Sequence, residues 1–347
     1  MNDLLRQLTE AVGVSSGEGE VRRLLRELIA DHVSEWRVDA LGNLIAVKQG
    51  TSEHAMRVLV DAHMDEVGLM ITSVESDGTF KFSPVGGFDD RALLGKVVQV
   101  GPKKHTGVIG ARPIHLLKPD QRDATVKMDA MRIDIGAKSK EDAGRKVQIG
   151  DLATFTTPYE ELDAVAIGKA FDNRCGCAIL VELLRRNPYP FDMVAVFSVQ
   201  EEVGLRGAGV AAYGARPQAA LVLECTPAHD LPNERDVSPN VALGKGPSIY
   251  VMDRNAIQDP RLVAHITATG AAHDIPFQIR QPGGGGTNTG AIQRSGAGIP
   301  AATIATPGRY LHSPVSMISL ADFGHVIALA EASLRGLTPA VLGLAED

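Results

Sequence analysis

Three apolar runs constrain this chain more than any other feature. Residues 56–62, 193–199 and 219–223 each have the length and composition of a buried strand, and each stops at a histidine or a carboxylate. Helical periodicity lies between and after them, at 175–184, 207–213, 259–269 and 320–334, and a fourth apolar run covers 301–305. Strands alternating with helices imply an α/β fold with a largely parallel-centred sheet flanked by helices. In such open sheets ligands bind beyond the carboxyl ends of the strands. Side chains remote in sequence are therefore expected to meet along one edge.

The remaining segments carry other textures. Residues 3–33 read as two helical pieces, with Leu4, Leu5, Leu8 and Val12 on one face and a break at 13–19. Ser15 and Glu18 have the spacing of a capping box for a second helix at 21–33, whose Arg22, Arg23 and Arg26 form its wet side. Residues 36–47 read as a hairpin turning at Gly42-Asn43, with Val38, Leu41, Leu44 and Val47 apolar, and a polar loop follows at 49–54. From 69 to 161 short β-like runs replace the long periodicities: 68–74, 79–84, 96–100, 107–109, 132–135 and 152–156, with one short helix near 140–144. We read 69–161 as an inserted, small β-barrel-like domain, and 1–68 with 162–347 as the α/β catalytic body. His105 and His115 have no acid beside them in sequence and read as structural or surface residues.

Bulk properties exclude several function classes. The net charge of −7 provides no basic field for nucleic acid. No run approaches the roughly 20 apolar residues that a membrane span needs, and the first residues lack a signal-peptide pattern. Three cysteines do not build a disulfide framework, so a cytoplasmic protein with reduced thiols is expected. Cys175 and Cys177 lack the second pair that a structural zinc site requires. The stretch 243–248 lacks the spacing of a phosphate loop.

The residues at the run ends carry the chemistry. Glu201 and Glu202 follow the second run, and alternate side chains leaving a strand can serve two tasks. His63 and Asp65 are two residues apart, so Asp65 can orient an imidazole that binds metal. Asp172 sits at a helix start, either as a cap or reaching outward, Glu224 ends the third run, and His312 follows the fourth. His63, Asp172, Glu202, Glu224 and His312 make two imidazoles and three carboxylates, a set suited to Zn2+, Co2+ or Mn2+. Five ligands exceed the usual three of one catalytic ion, and two ions bridged by a carboxylate use them naturally. Glu201 is then left as general base. The Gly-rich stretch 283–289 offers backbone N–H groups to an anion, and Arg280 reads as exposed, or else as favouring acidic side chains.

The stretches 63–68, 170–174, 200–204 and 311–314, in that order, resemble the co-catalytic metallo-aminopeptidases that form tetrahedral dodecamers. That group includes glutamyl aminopeptidases and relatives labelled endoglucanase M. The resemblance covers almost the whole chain. It implies one ion on His63, Asp172 and Glu224, a second on Asp172, Glu202 and His312, with Asp172 bridging, Glu201 as base and Asp65 orienting His63. It also implies short-peptide substrates and dimers assembling into a dodecamer through the insertion. Glu224 and Asn288 stand where relatives commonly carry Asp. Other readings are a di-metal N-acyl amino acid deacylase or carboxypeptidase-type hydrolase, and a non-catalytic assembly protein. The single Trp leaves few aromatic platforms for sugars.

Overall fold

The computed structural model describes residues 2–52, 56–230, 241–281, 283 and 285–344, so part of the expected 49–54 loop and Gly284 of the Gly-rich stretch fall outside it. The chain opens with α1 (Asn2–Glu10), α2 (Gly19–Ile29), the hairpin β1 (Glu35–Val38) and β2 (Leu44–Lys48), and β3 (Arg57–His63). Then come β4 (Gly68–Val74), β5 (Phe80–Val85), β6 (Val97–Val100), β7 (His105–Gly110), β8 (Arg132–Asp134), α3 (Lys140–Lys146) and β9 (Leu152–Phe155). The hairpin β10 (Glu160–Leu162) and β11 (Val165–Gly168) leads to α4 (Phe171–Arg185), β12 (Asp192–Ser198), α5 (Arg206–Ala215) and β13 (Ala219–Pro227). The last elements are β14 (Ser248–Tyr250), α6 (Pro260–Ala272), β15 (Gln278–Arg280), α7 (Thr289–Gln293), β16 (Ala301–Arg309), β17 (Ser316–Ser319) and α8 (Leu320–Arg335).

The main sheet runs β1-β2-β12-β3-β13-β16-β17-β11-β10. Its centre, β12-β3-β13-β16, is parallel, and its flanks are antiparallel. Burial on both faces explains the unbroken apolar runs. One face packs Leu5, Leu25, Ile179, Leu180 and Phe323 against the sheet, which brings α1, α2, α4 and α8 over it. The other face packs Ala208, Ala212 and Ile292 of α5 and α7 on Leu59, Val196 and Val222. The small residues of α5 let that helix sit close to the strands.

Strands β4-β5-β8-β7-β6-β9 close into a barrel with its own core, including Leu69, Phe80, Val98, Ile109 and Ile133. Closure leaves no unpaired edge. Ser139 caps α3 by accepting from the Asp142 N–H at 3.2 Å.

Several local expectations do not hold. The Ser15–Glu18 capping box does not form: the Ser15 hydroxyl donates to Asp65 Oδ2 at 2.6 Å, while Glu18 accepts from the Ser16 N–H. Val12 lies beyond α1, which stops at Glu10. Val38 is exposed on the edge strand β1, and Leu41 is exposed in the turn that follows it. The 243–248 turn, in keeping with its lack of phosphate-loop spacing, turns its N–H groups to the chain's own carboxylate: Gly244 and Gly246 donate to Asp322 at 2.6 and 2.7 Å.

Candidate active site

The carboxyl ends of the parallel strands open on a cavity of about 570 Å3. His63 closes β3, buried at 1% exposure. Its Nε2 lies 3.2 Å from Asp172 Oδ1, 3.4 Å from Glu224 Oε2 and 4.0 Å from Glu201 Oε2. Its Nδ1 faces the Asp65 carbonyl oxygen at 3.2 Å and Asp65 Oδ1 at 3.4 Å. The second imidazole, His312, has Nε2 3.2 Å from Glu202 Oε2 and 3.4 Å from Asp172 Oδ2. Asp172 thus turns one oxygen to each histidine. Donor atoms of His63, Asp172 and Glu224 lie within 4.8 Å of one another, as do those of Asp172, Glu202 and His312, and of His63, Glu201 and Glu202. All seven residues singled out from the sequence therefore come together.

The backbone explains how. Glu224 does not end its strand, as expected, but lies inside β13. That strand pairs with β3 in the register that sets Val222 opposite Asp61 and continues beside β16 to Pro227, so two residues further on Glu224 stands level with His63, the last residue of β3. Asp172 makes no capping bond. It has non-helical φ/ψ of −82° and 105°, and its peptide to Asn173 is cis. Asn173 anchors this turn instead, donating to the Leu223 carbonyl at 2.8 Å and accepting from the Gly176 N–H at 3.0 Å. Ala170, Gln200, Leu205 and His312 are non-glycine residues at φ 55°, 57°, 58° and 55°. Such left-handed residues cost about 1–3 kcal/mol each and cluster at functional sites.

Asp65 is the hub. Oδ1 accepts from the Glu201 N–H at 3.0 Å, and Oδ2 accepts from the Glu202 N–H at 3.2 Å and the Ser15 hydroxyl at 2.6 Å. It therefore sets the His63 ring and both Glu201 and Glu202 at once. Beneath it, Glu66 accepts from Lys169 at 2.7 Å, Arg174 at 3.3 Å, the Gly13 N–H at 2.9 Å and Thr154 Oγ1 at 3.0 Å. This fully buried knot joins the N-terminal loop, α4, β11's exit and the barrel.

The site is crowded with negative charge. Burial raises Glu201, Glu202 and Glu224 above the ordinary carboxylate range, and the neighbouring acids add to the effect. Burial works against charging His63, but Glu224, Glu201, Asp172 and Asp65 outweigh it and hold the imidazole well above its ordinary value. Asp172 is held low against its burial by His312 and His63. Glu202 Oε1 is buried without a hydrogen-bond partner. A buried carboxylate oxygen is costly unless paired or bound to a cation. Four carboxylates facing two imidazoles therefore fit divalent metal ions.

Sequence reasoning missed several participants. Ser15 was masked by its local capping pattern, and no sequence signal links it to Asp65, 50 residues away. Asn288 donates to Asp61 Oδ2 at 2.8 Å and Ser198 Oγ at 2.9 Å, tying the Gly-rich stretch to the sheet behind His63. Burial pushes Asp61 up to about 7. The α7 helix that follows the Gly-rich stretch has only five residues. Arg280 is not exposed: it is 8% exposed in the cavity wall, 4.5 Å over the Tyr250 ring, with Nε donating to Thr226 Oγ1 at 3.1 Å. Pairing of β15 with β14 puts it there, opposite Tyr250.

A cleft at the strand ends of a parallel-centred α/β sheet, lined by paired imidazoles and carboxylates, defines the metallopeptidase class of hydrolase. Comparison with known proteins narrows this. The chain belongs to the M42 glutamyl aminopeptidase family, whose sequence profile matches residues 42–329. It is 31% identical over 345 residues to the lysyl aminopeptidase of Pyrococcus furiosus, covering 97% of each chain. A TET aminopeptidase from a marine-sediment Thaumarchaeota archaeon matches with a TM-score of 0.94 at 35% identity, over 98% of this chain and 97% of that one. The TET1 peptidase of Pyrococcus horikoshii, which can assemble into a tetrahedron or a large octahedral shell, matches with a TM-score of 0.85 at 34% identity, over 96% and 99%. The protein is thus a peptide hydrolase, an aminopeptidase, as the sequence resemblance implied. Among the described residues, no helix is long and apolar enough to cross a membrane.

Proposed function

We propose that the chain removes N-terminal residues from short peptides, using two divalent ions per subunit. His63, Asp172 and Glu224 hold one ion, and Asp172, Glu202 and His312 the other. The observation that carries this reading is Asp172, whose two oxygens face the two histidines at 3.2 and 3.4 Å. Bound ions would supply Lewis-acid polarisation of a water and of the scissile carbonyl. Zinc, cobalt and manganese all suit the donor set.

The chain's own groups do the rest. Asp65 keeps Nε2 of His63 turned toward the cavity by holding Nδ1. Glu201 is the general base: its carboxylate takes a proton from the attacking water as the water oxygen bonds to the carbonyl carbon. It then delivers that proton to the amine nitrogen as the C–N bond breaks. The cavity wall beyond the carboxylates carries Arg254 and Arg280, which supports an acidic first residue. The matched family is described as glutamyl and the Pyrococcus furiosus relative as lysyl, so this preference rests on the cavity's own charge.

The same reading includes a catalytic body of 1–68 and 162–347, and assembly through the 69–161 insertion into a tetrahedral dodecamer. The TET1 relative's assemblies and exposed Leu94, Val97, Val108 and Ile114 on the insertion support it. Cytoplasmic residence is supported by three buried free thiols. The test is Glu201→Gln, assayed on free-amine and N-acetylated aminoacyl substrates with metal analysis. The variant should keep its ions and lose about 10²–10⁴ in kcat on free-amine substrates. Near-wild-type turnover would remove Glu201 as base.

A further inference from the structure

The barrel reaches the active site through one turn. After β5 the chain bends at Gly86 and Gly87. Gly86 has φ +85°, and a Cβ on it would stand 2.6 Å from Val67 Cγ1 and 3.4 Å from Glu202 Cβ. Gly87 lies outside the left-handed region, so its backbone admits other residues. Among the described residues, its chain neighbours aside, a Cβ on Gly87 would have one neighbour within 4 Å, His312 Nδ1 at 3.5 Å. The opposite ring nitrogen, Nε2, faces Glu202 and Asp172 at 3.2 and 3.4 Å. The turn therefore stands behind the ring, and also lies against Glu202.

His312 needs such support. It sits between β16 and β17, outside any strand or helix, and 43% of its side chain is exposed. A side chain in that setting keeps several rotamers unless a neighbour fills the alternatives. The turn is itself held close to β3, because Val85, the residue before it, pairs with Gly68, five residues beyond His63. A second contact runs from Leu152 to the loop that carries Ser15: a Cβ on Gly17 would meet Leu152 Cδ1 at 2.5 Å.

We infer that the Gly86–Gly87 turn is a positioning element for His312 and Glu202, so that the inserted barrel completes the active site as well as extending from it. The inference rests on the two-ion reading above. Backbone at Gly87 leaves the volume that the His312 ring occupies. A methyl group there makes ordinary contact with the ring, and a longer side chain leaving the backbone in the same direction competes with the ring for its place.

The experiment compares metal-loaded wild type, Gly87→Ala, Gly87→Val, Gly87→Leu and a control, Gly110→Leu. A Cβ on Gly110, elsewhere in the barrel, meets nothing within 4 Å. Ions per chain, the visible spectrum of the Co2+-loaded protein, kcat and KM are measured. Gly87→Leu should lose one of two ions and drop kcat by about 10–100-fold, with KM changed far less. Gly87→Ala, whose methyl group makes only ordinary contact, should keep both ions and the wild-type Co2+ spectrum, and Gly110→Leu should match wild type. Two ions, an unchanged spectrum and wild-type kcat in Gly87→Leu would overturn the inference. If that variant does not fold, two ions, an unchanged spectrum and wild-type kcat in Gly87→Val overturn it. Fewer than two ions in wild type would instead overturn the two-ion assignment itself.

Discussion

Replacing Asp65 by Asn keeps shape and removes one acceptor and one charge. In the native site Oδ1 serves the Glu201 N–H at 3.0 Å and faces His63 Nδ1 at 3.4 Å, while Oδ2 serves the Glu202 N–H at 3.2 Å and the Ser15 hydroxyl at 2.6 Å. An amide presents one oxygen. With that oxygen at the Oδ1 position, the new NH2 meets the Ser15 hydroxyl, which can rotate to accept, and the Glu202 N–H, which cannot. The reverse orientation sets the NH2 against both the Glu201 N–H and the His63 ring, and is worse. The better orientation leaves one buried N–H unsatisfied, at about 1–3 kcal/mol, and weakens the remaining bonds from charged to neutral, at about 1 kcal/mol. The sum, about 2–4 kcal/mol, corresponds to about 30- to 1000-fold. His63 retains the Asp65 carbonyl at 3.2 Å, so its ring orientation survives. The loss therefore falls on the placement of Glu201 and Glu202. Steady-state kinetics on an aminoacyl anilide should show kcat/KM lower by about 100-fold, with the fall in kcat exceeding any loss of bound metal. Wild-type kcat/KM in a folded Asp65→Asn variant would refute the hub.

Three further outcomes follow from the same geometry. Glu66→Gln breaks a buried ion cluster and should destabilise by about 3–5 kcal/mol, read by urea unfolding; an unchanged midpoint would contradict the knot's role. Burial alone would raise Glu66, but Lys169 and Arg174 hold its carboxyl below the ordinary value, so its contribution is full above the ordinary value and is lost as pH falls below that through the depressed folded value. The acid-unfolding midpoint of wild type should accordingly lie higher in Glu66→Gln. Arg280→Gln should lower kcat/KM for an N-terminal Glu substrate by about 10-fold or more, with little change for Leu; equal losses on both would place Arg280 in a purely structural role. Chelation should abolish turnover and lower Tm, because the buried carboxylates are left facing one another; readdition of Zn2+ or Co2+ should restore both, and full activity in metal-free protein would sink the cofactor assignment.

The predicted elements that survive share one physical basis: periodicity and burial are local properties of the chain. Strands buried on both faces wrote the runs at β3, β12 and β13, and short strands punctuated by Gly and Pro wrote the barrel. The branching of strand ends into acids and histidines was legible for the same reason, because a charged residue ending an apolar run has few structural uses. Tertiary structure decided what depends on partners far along the chain. Ser15 satisfied a capping pattern with a neighbour three residues on, yet its hydroxyl donates to the Asp65 carboxylate, a charged acceptor 50 residues away that no local pattern reveals. Arg280 had the composition of a surface residue, but pairing of β15 with β14 turned it into the cavity against Tyr250. Glu224 ended an apolar run in sequence, whereas the parallel register of β13 on β3, with Val222 opposite Asp61, sets it level with His63. Gly86 and Gly87 carry no side chain to read at all, and only the folded barrel shows what their emptiness makes room for.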